Sequence, residues 1–90
     1  MEYKLFQVKE DYAEYIIART PEEALQDHNS RVDEEFHATI EEVSVVAMDE
    51  VGRFETESGD YKTMTFGQFV DEMLGDDFVY ERPVLLCWHE

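Results

Sequence analysis

Tyr3-Lys4-Leu5-Phe6-Gln7-Val8-Lys9-Glu10-Asp11-Tyr12-Ala13-Glu14-Tyr15-Ile16-Ile17-Ala18, followed closely by Thr20-Pro21-Glu22-Glu23, is the stretch whose reading decides the fold. Residues 3–8 and 12–18 are rich in aromatic and β-branched side chains, and the charged Lys9-Glu10-Asp11 separates them, which predicts a short antiparallel hairpin. Thr20 can cap a helix, Pro21 at the first helical position gives up no needed hydrogen bond, and Glu23 closes a capping box. A hairpin feeding a helix start points to a sheet with a helix laid across it.

Working outward, Pro21, Leu25, His28, Val32 and Phe36 fall on one side of a helical wheel, and Glu23, Asp27, Ser30 and Glu34 on the other. This predicts an amphipathic helix running to about Phe36, then a third strand over Ile40 to Met48. Val51 to Thr56 and Tyr61 to Thr65 flank Glu57-Ser58-Gly59-Asp60, a second hairpin whose glycine can supply a positive φ. Thr65-Phe66-Gly67-Gln68 offers another capping box, and Phe66, Phe69, Val70 and Met73 keep helical spacing until Gly75. Arg82-Pro83 then enters the apolar strand Val84-Leu85-Leu86-Cys87-Trp88. The expected fold is α+β, one small domain over residues 1–90, mainly antiparallel sheet with two helices, in the order β-β-α-β-β-β-α-β.

Ninety residues, 43% of them hydrophobic, suffice for one modest core. Seven Lys and Arg against 23 Asp and Glu leave a net charge of −16, which repels phosphate backbones and anionic lipid alike, so direct nucleic-acid or membrane binding is not expected. One cysteine permits no internal disulfide, no Cys/His cluster suggests zinc, and no signal segment opens the sequence; the reading is a cytoplasmic, cofactor-free protein.

No catalytic constellation emerges. His28, His37 and His89 lie at spacings that bring no two imidazoles together on one helix face. Asp27-His28-Asn29-Ser30-Arg31-Val32 opens like a calcium loop but has a cation at its fifth position and no glycine at its sixth. His28 reads as a partly buried structural residue and Cys87 as a small core residue without a basic neighbour. No serine sits in a nucleophile elbow, and adjacent acids are too common to mark a general acid–base pair. The aromatics read as core, because a base-stacking platform would come with Lys and Arg. The chain is therefore expected not to be an enzyme.

The distribution of charge is the sharpest feature. From Pro21 to Glu50 there are ten acids and one base, Arg31, which pairs naturally with Asp27 at i,i+4. Glu23, Asp27 and Glu34 would form a helical stripe about 16 Å long, the span of roughly five phosphates along one DNA strand. A small domain stays soluble with a net charge of about 2 to 8, so −16 asks for another reason: a halophilic source, mere solvation, or a strongly basic partner. Proteins that process nucleic acids line their channels with Lys and Arg, and steering favours an acidic visitor.

With Thr20-Pro21-Glu22-Glu23-Ala24-Leu25, Glu42-Val43-Ser44-Val45 and Arg82-Pro83-Val84-Leu85-Leu86, the layout resembles small acidic proteins of tailed bacteriophages. The resemblance implies a host-takeover or counter-defence factor that imitates DNA in the bacterial cytoplasm and blocks a nuclease, RNA polymerase, repair or nucleoid protein. The residues expected to meet such a partner are Glu22, Glu23, Asp27, Asp33, Glu34, Glu41, Glu42, Asp49 and Glu50. A second patch comprises Asp71, Glu72, Asp76, Asp77 and Glu81, with Phe78 and Tyr80 as aromatic anchors. The alternative is an accessory or assembly protein that binds through a sheet edge or apolar patch, its charge serving solubility; open edges, strand 83–88 included, also offer surfaces for a homodimer.

Overall fold

The computed structural model describes residues 3–10, 12–56 and 58–89, of His89 the backbone alone. Asp11 and Glu57, assigned to the two hairpin loops, lie outside the described residues. The elements are β1 (Lys4–Lys9), β2 (Ala13–Ala18), α1 (Pro21–Ser30), β3 (Val43–Val46), β4 (Val51–Glu55), β5 (Tyr61–Thr65), α2 (Phe66–Leu74) and β6 (Val84–His89). This is the expected α+β order, and every strand pairing among the described residues is antiparallel. By its contacts the chain forms two compact units, one from the chain up to Val46 with the stretch from Val79 onward, the other Ala47–Phe78.

The first unit is a four-stranded sheet in the order β3-β1-β2-β6. The opening hairpin pairs Lys4 with Ala18 through to Lys9 with Ala13, as the two β-rich runs require. Alternation turns Phe6 and Val8 of β1 and Ile16 and Ala18 of β2 to one face, where they pack with Ala24 of α1 and with Ala38. Leu5 and Ile17, on the opposite face, are also fully buried. On β6 the register shifts between Tyr15 and Ile16, leaving Leu86 as the extra residue of a bulge.

α1 starts as the sequence predicts, with the Thr20 hydroxyl accepting from the Glu23 N–H at 3.1 Å and Pro21 in the first turn. Its end corrects the expectation. The helix stops at Ser30 rather than Phe36, because Asn29 and Ser30 are weak helix formers whose side chains bond elsewhere. The Ser30 hydroxyl donates to the Asp27 carbonyl at 2.7 Å, and the Asn29 amide clamps Ala38, accepting from its N–H at 2.8 Å and donating to its carbonyl at 3.2 Å. Glu34–Phe36 is a separate 3₁₀ turn, and Phe36, expected in the core, is 42% exposed.

The third strand is likewise shorter than expected. Ile40–Glu42 is a 3₁₀ turn held by a capping box in which the Thr39 N–H donates to Glu42 Oε1 at 2.9 Å, so only Val43–Val46 joins the sheet.

The second unit is the β4-β5 hairpin with α2. Phe54 stacks on Phe69 at 4.2 Å and meets Phe66 edge-on at 5.2 Å. A Cβ at Gly52 would come within 3.1 to 3.2 Å of the Phe54 and Phe66 rings, so glycine there lets the aromatic cluster close. The capping box at Thr65 and Gln68 forms in both directions, and Gly75 ends the helix with φ +78°.

Candidate functional site

The acids singled out in the sequence separate into two kinds. Four are held by the fold. Glu23, expected to return a bond to the Thr20 backbone, instead accepts from the Tyr80 hydroxyl at 3.3 Å. Asp27 is ion-paired with Arg31, as the i,i+4 spacing predicts. Glu42 closes the Thr39 cap, and Glu72 stands 3.4 Å from Lys62 across two exposed side chains. The others are bare: Glu22, Asp33, Glu34, Glu41 and Glu81 in the first unit, and Asp49, Glu50, Asp71, Asp76 and Asp77 in the second, are exposed and carry no ion pair among the described residues. Glu35, on the same 3₁₀ turn as Glu34, joins them.

The 16 Å helical stripe is not formed, because Glu34 lies beyond the end of α1 and Asp27 is neutralised. The anchor role assigned to Tyr80 also fails. Its ring is 6% exposed, stacked on Tyr3 at 5.7 Å, with the Arg19 guanidinium 5.2 Å from its centroid. Burial first, and then the Glu23 carboxylate, push its hydroxyl above the ordinary value, so it stays protonated and donates. Phe78 is half-buried.

A polar cluster that sequence reasoning missed lies under the end of α1. Glu14 projects from β2 and is only 3% exposed. Its Oε1 accepts from Arg31 Nη2 at 2.5 Å and stands 2.9 Å from His28 Nδ1, while Oε2 accepts from the Tyr12 hydroxyl at 3.1 Å. Arg31 turns its other nitrogen, Nη1, to Asp27. Burial works to raise the Glu14 carboxyl, but the hydrogen bond and positive charge of Arg31, with His28 beside it, outweigh it and hold the group below its ordinary 4.5. Arg31, also penalised by burial, is held above its ordinary value by Asp27 and Glu14. The available signal was alternation: Glu14 shares a strand face with Ile16 and Ala18, and an acid turned inward needs a partner.

His28 is 1% exposed, more deeply placed than the partly buried residue expected, and neither ring nitrogen makes a well-directed hydrogen bond among the described residues. Beside it opens a cleft of about 390 Å³ lined by Glu10, Tyr12, His28, Arg31, Val32, Asp33 and Phe36. Among the described residues no group of three or more His, Cys, Asp or Glu is placed to hold a metal, and no helix is long and apolar enough to cross a membrane. Cys87 is partly buried, and burial pushes its thiol up to about 11.

Comparison with family models, with curated proteins and with solved structures finds no match in any of the three.

Proposed function

We propose that the chain is a non-enzymatic, phage-type acidic protein that binds a basic, nucleic-acid-binding protein in the host cytoplasm and inhibits or modulates it through a DNA-like negative surface. The observation that carries this reading is the run Asp33, Glu34, Glu35 and Glu41, four exposed acids with no ion pair among the described residues, while the one cation nearby in sequence, Arg31, is held by Glu14 and Asp27. Uncompensated surface charge repels itself, and a channel lined with Lys and Arg would relieve that repulsion while steering the encounter. The exposed acids of Ala47–Phe78 extend the negative surface of that unit in the same sense.

The test is capture of the tagged protein's partners from bacterial lysate with and without competing duplex DNA, at ~0.1 M and ~0.5 M salt, a range over which screening shortens markedly. The expected result is a nucleic-acid-binding protein that DNA displaces and salt releases, and that the quadruple variant Asp33→Asn, Glu34→Gln, Glu35→Gln, Glu41→Gln no longer retains. A partner indifferent to DNA, salt and these four substitutions would overturn it.

One observation favours a second reading, an accessory protein docking through a sheet edge. β6 is an edge strand without a charged residue, and its Trp88 is 61% exposed. That reading expects a salt-resistant partner lost on Trp88→Ser.

A further inference from the structure

We propose that the cleft beside His28 is a receptor for a guanidinium group, an arginine side chain of the basic partner; this rests on the reading above and names the contact within it. The walls settle the sign of the charge. Arg31, the one Lys or Arg among the described residues that line the cleft, has its guanidinium engaged at one end by Asp27 and at the other by Glu14, so little of it remains for an incoming anion. Glu10 and Asp33 add carboxylates on a chain already at −16, and Asp33 has no ion pair among the described residues. An anion is repelled and a cation is drawn in.

Ring surface and a hydrogen-bond acceptor narrow the class. Tyr12 and Phe36 line the cleft, and Phe36 is a large apolar side chain left 42% exposed there. Aromatic surface beside carboxylates suits a planar, weakly hydrated cation better than a compact ammonium.

His28 supplies the independent observation. Nδ1 stands 2.9 Å from a carboxylate oxygen, the place for its N–H, and a neutral ring protonated there presents a lone pair at Nε2. That nitrogen is fully buried and has no donor among the described residues, although the ring lines the cleft. Buried acceptors of this kind are rare without a donor. A guanidinium brings five N–H donors in one plane, enough to serve a carboxylate and the imidazole together.

The experiment is an NMR titration of the full chain with the capped amino acid N-acetyl-arginine methylamide, and in parallel with its lysine counterpart, following backbone amides and the His28 ring nitrogens. Saturable shifts confined to Tyr12, His28, Asp33 and Phe36 are expected with the arginine probe. Its affinity should fall about tenfold in the double variant Asp33→Asn, Phe36→Ala, whose sites are exposed and leave the core untouched. Non-saturating shifts spread over the acidic surface, equal shifts from the lysine probe, or unchanged affinity in the double variant would each overturn the proposal. The partner capture described above separates the two claims: if DNA-sensitive capture persists while the arginine probe fails to saturate, the cleft assignment falls and the charge reading stands. If the arginine probe saturates but capture shows no dependence on DNA or salt, the cleft stands and the charge reading falls.

Discussion

Glu14, Glu23, Asp27 and Glu42 each accept a hydrogen bond or ion pair from a group the fold brings to them, whereas Asp33, Glu34, Glu35 and Glu41, in the same unit, face water with no ion pair among the described residues. In the sequence the two sets are indistinguishable, since both are acids in a stretch, Glu14 to Glu42, with only two bases, Arg19 and Arg31. The difference teaches that charge counted along a chain is not charge offered at a surface. The cations sharpen the contrast: Arg31 is held by two carboxylates, and Arg19 and Arg53 lie over the rings of Tyr80 and Tyr61.

The largest expected effect breaks the held set. Glu14→Gln removes the charge that His28 and Arg31 face, and should destabilise the protein by about 3 kcal/mol in urea unfolding, as loss of one partner from a buried pair does. Asp33→Asn, on the bare side, should stay within about 0.5 kcal/mol.

pH separates the two sets next. Because the Glu14 carboxyl is held below 4.5 in the folded protein, its contribution is complete above that value and is lost as pH falls through the lower, folded-state value. The stability difference between wild type and Glu14→Gln should therefore be flat from pH 7 to about 5 and shrink in more acidic solution. The quadruple neutral variant should show the opposite tendency: a modest gain over wild type at pH 7 in low salt, vanishing as the wild-type acids protonate or as salt screens them.

The smallest effect concerns reactivity rather than stability. With its thiol pushed from 9.0 to about 11, Cys87 should hold about 100-fold less thiolate near neutral pH than an unperturbed cysteine, and alkylation of the folded chain should be slow to match until urea exposes it. Rapid labelling of the native protein would show that β6 opens more readily than its burial implies.

Much of the fold was legible because its signals are local. The hairpin, the Thr20 and Thr65 caps, the Gly59 turn and the Gly75 stop each depend on residues within a few positions of one another. The two misread boundaries have local causes as well. Thr39-Ile40-Glu41-Glu42 repeats the capping pattern recognised at Thr20, but β-branched Ile40 drew it into the strand. Leu25, His28, Val32 and Phe36 kept helical spacing past the point where Asn29 and Ser30 turn their side chains back on the chain.

The candidate site was far less legible. Tyr80 was read as an exposed anchor because it lies between acids, and Glu14 drew no attention inside an apolar run; each was decided by a partner distant in sequence, Glu23 for one and Arg31 for the other.

By itself, then, the sequence determined the α+β class, the element order and the great excess of acid, since periodicity, capping and composition act over short distances or none. Only the tertiary structure decided which acids are held and which stay exposed without an ion pair among the described residues. Packing α1 across β2 places His28 and Arg31 on Glu14, and a carboxylate turned into a core can stay ionised only where such neighbours arrive.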